Sequence, residues 1–424
     1  MTRPQSTRRS VPIMLVACLT LVACGTATPT AAPTQPTPTA TAPIPTSTPR
    51  PAGEVYAEIR AAVEAIRGLK PTAAVDPVTI NETQLRTNLE AEFDATNTPA
   101  KLKNSEDLLI TLGLLPKGAS LRALTSDLQG GQVAGYYSPD KDQLYIVNRS
   151  GSLGPADEVT YSHEFTHQLQ DQNFHLDALD LDAADQSDRS FARLALVEGD
   201  ATSVQSSWMI ANLDSKELGE LLGAALDPEA LAALQRAPAY LRDTVQFEYQ
   251  DGFGFVTRIL LNGGGYPAVD AVFADPPAST EQILHPDKYL VREAPIAVTL
   301  PKVLFDGLVG TEWSELSQDT LGELILRIWL NEGGVSTAVA RTASAGWGGD
   351  RVSLLRGPAG ARGLVLRSEW DTPVDADEFA AAASTVVAKV APGGQVVHEP
   401  GSKTIWVAIG PGAVTVVTVA TAGA

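Results

Sequence analysis

The sequence predicts an α+β protein that is mainly helical and carries a small mixed sheet. Apolar residues recur every three or four positions over long stretches, which indicates amphipathic helices. Alternating apolar residues flank a turn within residues 130–148, which is typical of a β-hairpin. Alternation returns after residue 394, which predicts further strands near the C-terminus. Helices and strands that are grouped in separate parts of the chain are typical of the α+β class.

The first predicted elements are helices over residues 54–68, 81–94 and about 105–113. The first helix has one apolar stripe and ends at Gly68, and Asn81 is a suitable cap for the second. The hairpin follows, with strands predicted at 133–137 and 143–147 around a turn at 138–142.

The second half predicts further helices and a terminal α+β section. The helices are expected at 190–197, 215–243 with a break at Asp227-Pro228, 250–274 with a break at 262–265, and within 315–342 around Leu321–Leu326. Residues 346–350 are predicted to form a turn into the terminal section. That section should contain a helix at 375–390 and strands at 395–397, 404–409 and 413–419. The last of these runs is too short and too rich in threonine to span a membrane.

The composition is that of a globular protein with a strong excess of acid. The chain has 424 residues, of which 44 % are hydrophobic, and a formal net charge of −19. Such a charge argues against nucleic acid as a partner.

The N-terminus predicts a bacterial lipoprotein signal peptide over residues 1–23. Three arginines precede the short apolar run at 11–23, and Leu21-Val22-Ala23-Cys24 resembles a lipobox. Cleavage before Cys24 removes those arginines and no acid, so the formal charge falls from −19 to −22. We expect Cys24 to carry a lipid that anchors the secreted protein to the outer face of the cell membrane.

The rest of the chain divides into a stalk and two folded parts. Residues 24–53 are almost wholly Thr, Pro and Ala, which predicts a disordered linker. We expect the main domain to span 54–345 and a small C-terminal α+β section to span 346–424. Cys18 and Cys24 are the two cysteines of the sequence, so the folded part has no disulfide and no cysteine ligand.

A pair of histidines in the segment Tyr161–Gln170 predicts a metal site. His163 and His167 are four residues apart, so on a helix they project from one face. This HExxH spacing suits one zinc ion, with Glu164 beside the open coordination position as the general base.

A catalytic zinc ion usually has three protein ligands, and the sequence offers two candidates for the third. Glu198 follows His167 after 30 intervening residues on a separate predicted helix, and Asp200 lies two positions further. Two residues so close on a helix face different directions, so one of them at most can reach the metal. Asp200 could instead orient a ligand histidine from behind.

HEFTH followed by EGDA resembles the gluzincin group of zinc peptidases, in some of which the ligand glutamate lies in a Glu-Gly-x-Ala context. This resemblance implies a zincin-like fold in which the edge strand of the sheet precedes the HExxH helix. It also implies Glu198 as the third ligand and Glu164 as the catalytic base. Residues 133–205 are similar to uncharacterised bacterial secreted or lipoprotein metallopeptidase-like proteins, and the similarity continues through 279–289 and 370–379.

The resemblance implies zinc-dependent hydrolysis of peptide bonds at the cell surface, with Glu164 taking a proton from the zinc-bound water. Gluzincins commonly supply a downstream Tyr or His that stabilises the oxyanion, and Tyr249, His285 and Tyr289 are the candidates here. Two other functions stay open at this point: a binding or scaffold lipoprotein without activity, and a hydrolase that cleaves another amide at the same zinc. The partners expected are a peptide or protein substrate and the membrane that holds the lipid anchor.

Overall fold

The structure is a computed structural model that describes residues 50–422 except 131–132, 148–152, 226–231, 233–234, 301 and 309–310. Its α+β class confirms the prediction, because helices predominate and two small sheets are present among the described residues. The predicted signal peptide, Cys24 and most of the linker lie outside the described residues, as does the break at Asp227-Pro228. None of the described helices has both the length and the apolar character needed to span a membrane.

Four helices lead into the first sheet. They are α1 (Ala52–Arg67), α2 (Glu82–Thr96), α3 (Pro99–Leu112) and α4 (Leu121–Gly130). Asn81 caps α2 as expected, since its side chain accepts a hydrogen bond from the Gln84 backbone N–H. The predicted stripe of α1 is buried against later helices, and burying each of its large aliphatic side chains stabilises the fold by about 1.5–3 kcal/mol.

The first sheet has three strands in the order β1-β3-β2, namely β1 (Val78–Ile80), β2 (Gly135–Ser138) and β3 (Gln143–Val147). β2 and β3 form the predicted hairpin, and β1 runs parallel to β3. The Val147 N–H donates to the Ala134 carbonyl at 2.9 Å, which sets the alternation of the ladder. By that alternation the backbone N–H and C=O of Gly135 and Tyr137 point away from β3, toward the free edge of β2, which pairs with no other strand among the described residues.

Two long helices, α5 (Pro155–Phe174) and α6 (Ser187–Asn212), pack against each other behind this sheet. Shorter helices follow: α7 (Ser215–Ala225), α8 (Ala239–Gln246), α9 (Gly252–Leu261), α10 (Tyr266–Ala274), α11 (Thr280–Leu284) and α12 (Pro286–Leu290). A π-helical turn at Phe247–Asp251 joins α8 to α9.

The second sheet is antiparallel in the order β4-β5-β6-β8-β7. Its strands are β4 (Ser314–Asp319), β5 (Trp347–Arg356), β6 (Arg362–Trp370), β7 (Gln395–His398) and β8 (Thr404–Ile409). The helices around it are α13 (Gly322–Glu332), α14 (Thr337–Ser344), α15 (Pro373–Val390) and α16 (Pro411–Ala422). Side chains of α13 and α15 pack on one face, and side chains of α16 pack on the other.

Two predictions in this part were wrong. Residues 346–350 are not a turn, because β5 begins at Trp347. Gly348 and Gly349 allow the segment at Ile296 to pass close to the backbone of β5. A Cβ on Gly349 would lie 2.2 Å from the Ile296 carbonyl oxygen. The helix predicted within 315–342 is present as α13, but β4 before it, a polar edge strand whose alternation is weak, was not predicted. Residues 413–419 belong to α16 and not to a strand.

The helix at α16 shows how tertiary packing overrides β propensity. Val416 and Val417 are both fully buried, and Ala413 joins them at helical spacing. The exposed Thr415 and Thr418 hydroxyls donate to backbone carbonyls four residues earlier. The run therefore covers a face of the sheet and does not extend its edge.

A pair of substitutions two residues apart tests the helical assignment of α16. On a strand Val417 and Val419 would share a face, whereas on this helix Val417 is buried and Val419 is 46 % exposed. Val417→Asp should lower the free energy of unfolding by about 3 kcal/mol or more, because it buries an unpaired charge. Val419→Asp should change it by about 0.5 kcal/mol or less. Urea denaturation checks both, and equal losses would contradict the helix.

Candidate metal centre

Helix α5 presents two histidines from one face. Pro155 occupies its first turn, and the Asp157 carboxylate accepts a hydrogen bond from the Gly154 N–H at 2.9 Å, so the helix begins firmly here. The rings of His163 and His167 lie edge to face, with centroids 4.6 Å apart. Both side chains are completely buried, and their Nε2 atoms are 2.9 Å apart.

Helix α6 brings a carboxylate to the same point. Glu198 Oε2 lies 3.2 Å from His163 Nε2 and 3.5 Å from His167 Nε2. One ligand atom from each of the three residues therefore lies within 4.8 Å of the other two. The predicted residues His163, His167 and Glu198 thus converge, although they come from two helices.

The electrostatics of this triad favour positive charge at its centre. Burial by itself would lower the pKa of His167 and raise that of Glu198, because each charged form loses hydration. Their mutual attraction outweighs burial, so the pKa of the imidazole is raised above its ordinary value and that of the carboxyl is lowered. The pKa of His163 is lowered, since burial is the larger effect there.

Glu164 lies beside the triad without a strong partner. Its side chain is fully buried, and neither carboxylate oxygen makes a hydrogen bond of full geometry within the described residues. Burial raises the pKa of Glu164 to about 8, and the smaller effect of the Tyr137 backbone N–H opposes that rise. This N–H is one of those at the free edge of β2, so the strand and the carboxylate face each other.

The π-helical turn brings Tyr249 to the triad. Its ring centroid is 6.1 Å from that of His163, and its hydroxyl hydrogen-bonds to Glu198. Burial, followed by the charge of Glu198, raises the pKa of Tyr249 well above its ordinary value, so the hydroxyl keeps its proton. Glu248 of the same turn is an acid that the sequence analysis missed, and burial and Glu198 raise its pKa as well.

The other two oxyanion candidates are held elsewhere. His285 is hydrogen-bonded through Nε2 to Glu323 at 3.0 Å, with no contact to the triad among the described residues. The Tyr289 hydroxyl donates to the Asp275 carbonyl at 2.8 Å, and its ring packs on Phe255. The positions of His285 and Tyr289 therefore do not support the prediction that either residue acts at the metal.

Asp200 points away from the triad and into a polar network behind it. Gln170 links Asp200 to the triad, because its side chain contacts His167 Nδ1 at 2.8 Å and Asp200 Oδ2 at 2.9 Å. Arg67 of α1 pairs with Asp200 from the other side. Gln170 was missed, although its position three residues after His167 places it on the same helix face. Arg67 has no such signal, since it is 133 residues from its partner.

The triad is enclosed in this structure. His163, Glu164 and His167 are 0 % exposed, and Glu198 is 1 % exposed. A second acidic group, Glu281, Glu293 and Asp371, could also hold a metal ion. There the Lys288 ammonium contacts all three carboxylates at 2.5–2.6 Å, so it already supplies the positive charge.

Comparison with known proteins bears on the C-terminal part. The model of a domain of unknown function, DUF8575, matches residues 311–423. This match covers the second sheet from β4 onward and none of the triad residues. No curated protein matches the chain, and no solved structure matches it.

Two glycines explain why Tyr249 can approach Glu198. A Cβ on Gly199 would lie 2.2 Å from the Gly252 backbone, and a Cβ on Gly252 would lie 2.2 Å from the Ala195 carbonyl oxygen. Helices α6 and α9 therefore touch backbone to backbone at this point. The π-helical turn immediately before α9 is thereby pressed against Glu198. The glycine after Glu198 in the EGDA segment thus has a packing role.

Two alanine substitutions in α9 test this contact. Gly252→Ala should lower the free energy of unfolding by about 1–3 kcal/mol or more, because its new methyl group meets backbone. Gly254→Ala is the matched control, since a Cβ there meets nothing within 4 Å. It should raise the free energy of unfolding by about 0.5–1 kcal/mol, because alanine loses less entropy than glycine in a helix. Urea denaturation followed by circular dichroism measures both, and a neutral Gly252→Ala would contradict the close approach.

Proposed function

We propose that this protein is a zinc-dependent peptidase of the gluzincin type. The observation that carries the proposal is the convergence of His163, His167 and Glu198 with Glu164 beside them. Helix α5 with the histidines, helix α6 with the glutamate and the edge strand β2 facing Glu164 together support a zincin-like arrangement. The predicted surface anchoring through Cys24 and the predicted domain limits remain part of this proposal.

The donor set suits zinc. Zinc binds imidazole nitrogen and carboxylate oxygen at about 2.0–2.2 Å, so tetrahedral ligand atoms lie about 3.3–3.6 Å apart. The three separations here are 2.9, 3.2 and 3.5 Å. All three groups are buried, and two helices fix them, so little rearrangement is needed to receive the ion. Three protein ligands also leave a fourth position, as in catalytic zinc sites.

A bound zinc ion would supply Lewis acidity that makes a water a stronger acid and polarises the scissile carbonyl. Glu164 would accept the proton of that water as the water oxygen bonds to the carbonyl carbon. The carboxyl would then give the proton to the leaving amine as the C–N bond breaks. A pKa that burial has raised to about 8 suits a group that must both take and return a proton near neutral pH.

Two further groups would act on the substrate. The Tyr249 hydroxyl keeps its proton, so it could turn from Glu198, to which it is hydrogen-bonded here, and donate that hydrogen bond to the developing oxyanion. All of β2 is buried here, so a movement must first uncover it; the outward groups of Gly135 and the outward C=O of Tyr137 would then pair with an extended peptide that lies along β2. This main-chain pairing favours a peptide over a small amide as the substrate, which a peptide library tested beside small amides would show.

A scaffold lipoprotein that holds zinc without turnover is the second candidate, and the enclosure of the triad favours it. The triad is buried, so hydrolysis at this site requires a movement that admits water and substrate, whereas metal binding alone does not require access for a substrate. The weakly partnered Glu164 speaks for the enzyme, because a buried carboxyl whose hydrogen bonding is limited to the Tyr137 backbone N–H is costly and has no purpose in a structural site.

Metal content and one conservative substitution separate these functions. The purified protein should contain about one zinc per chain by plasma mass spectrometry, and Glu198→Ala should lose it. Glu164→Gln should keep the zinc but lower the rate of peptide hydrolysis by about 10²–10⁴-fold, because the amide cannot accept the proton. Glu158→Gln, on the same helix, should leave both unchanged. Zinc binding with no peptide cleavage in the unsubstituted protein would favour the scaffold.

The role of Tyr249 can be tested by removing one oxygen atom. Tyr249→Phe should lower kcat by about 10²–10³-fold with a small effect on KM, because the hydrogen bond forms in the transition state. Tyr289→Phe is the control, since the Tyr289 hydroxyl bonds to the Asp275 carbonyl and should not affect kcat. Full kcat in Tyr249→Phe would assign the oxyanion donor to another group.

A further inference from the structure

The side chain of Gln170 has one orientation in this network. Its Nε2 lies 3.0 Å from the Val197 carbonyl oxygen and 2.9 Å from Asp200 Oδ2. A carbonyl and a carboxylate both accept hydrogen bonds, so the NH₂ end of the amide must face them. The oxygen end, Oε1, therefore faces His167 Nδ1 at 2.8 Å.

The orientation of Gln170 decides which nitrogen of His167 can bind a metal. An amide oxygen can only accept, so His167 Nδ1 must carry a hydrogen. The lone pair that remains available is on Nε2, which faces His163 and Glu198. Gln170 thus sets both the tautomer and the ring orientation that the ligand role requires.

Arg67 pairs with Asp200, the carboxylate that orients Gln170. Its Nε lies 2.9 Å from Asp200 Oδ1 and 3.0 Å from Oδ2, and its Nη1 donates to Asp270 Oδ1 at 2.6 Å. The guanidinium is completely buried and lies against the Tyr266 ring, with its central carbon 4.9 Å from the ring centroid. Without Arg67, Asp200 would be a buried carboxylate with no cation near it.

We infer that Arg67 is a positioning residue for the ligand His167, acting through Asp200 and Gln170. The inference rests on the proposed zinc site. It makes helix α1 part of the metal centre, although α1 precedes the HExxH segment by almost a hundred residues.

A purely structural role for Arg67 is the competing explanation, since the same side chain joins α1 to Asp270 on α10. That role would change the stability of the protein and leave the affinity of the folded protein for zinc unchanged. The affinity for zinc, measured on the folded protein, is therefore the readout that separates the two explanations. Circular dichroism establishes that each variant is folded before the measurement.

The experiment measures the Kd for zinc of the purified protein by competition with a chromophoric chelator. Arg67→Met and Gln170→Met should each bind zinc about 10- to 100-fold more weakly, as is usual when support behind a ligand is lost. The double variant should be no weaker than Gln170→Met, because Arg67 acts through that glutamine. The absorption spectrum of bound Co²⁺ should shift in both single variants.

Two further variants make the result decisive. Arg362→Met is the matched control, because Arg362 pairs with Asp107 in a partly buried ion pair away from the triad. It should lose stability and keep the Kd for zinc. If Arg67→Met does not fold, Arg67→Lys is the variant to measure. Lysine keeps the charge but cannot reach Asp200 and Asp270 with two separate nitrogens. The Arg67→Lys protein should therefore bind zinc more weakly than the unsubstituted protein.

The outcomes are distinct for the two proposals. No zinc binding by the unsubstituted protein would overturn the proposed function. Zinc binding by the unsubstituted protein, with an equal Kd in folded Arg67 variants, would overturn the positioning role and leave the zinc site intact. Equal Kd values for Gln170→Met and the unsubstituted protein would overturn it as well.

Discussion

The architecture depends on the cost of burying ionisable groups between two packed helices. Helices α5 and α6 enclose His163, His167, Glu164 and Glu198 with almost no exposure. Charges that are buried in this way must be paired or hydrogen-bonded. Each buried charge without a partner would lower the stability of the fold by roughly several kcal/mol. Within the triad, Glu198 pairs with the two histidines. Behind the triad, Arg67 of α1 pairs with Asp200, which is hydrogen-bonded to Gln170.

This constraint explains why distant segments meet around the triad. Helix α1 contributes Arg67, and α10 contributes Asp270, which accepts a hydrogen bond from Arg67 Nη1. The backbone contact of Gly199 with Gly252 holds the turn that carries Tyr249. At the far end of α6, the Asp188 carboxylate accepts hydrogen bonds from the Thr280 backbone and hydroxyl. The long helix α6 is therefore held at several points along its length, and Glu198 lies between them.

The same enclosure shapes the proposed chemistry. An enclosed site strengthens each electrostatic interaction, and burial raises the pKa of Glu164 to about 8. It also means that hydrolysis depends on a movement that opens the triad to water and substrate. The free edge of β2, which faces Glu164, is the element through which an extended peptide would meet the site.

The sequence alone singled out the residues that are proposed to carry the chemistry, and it predicted most of the elements near them. The spacing of His163 and His167 and the capping of their helix are local properties, so they could be predicted. Glu198 converges with them, as its sequence context implied. The α+β class followed from periodicity, as did the helix α1 and the hairpin of β2 and β3.

Only the tertiary structure decided which partners these residues have. Arg67 and Tyr249 are far from His167 along the chain, and no local pattern specifies a contact between segments brought together by packing. The same reason explains the helix at α16, where burial of Val416 and Val417 against the sheet outweighs their preference for strands. Local spacing determines which side chains share a face of an element, whereas the packing of that face against others decides what they touch.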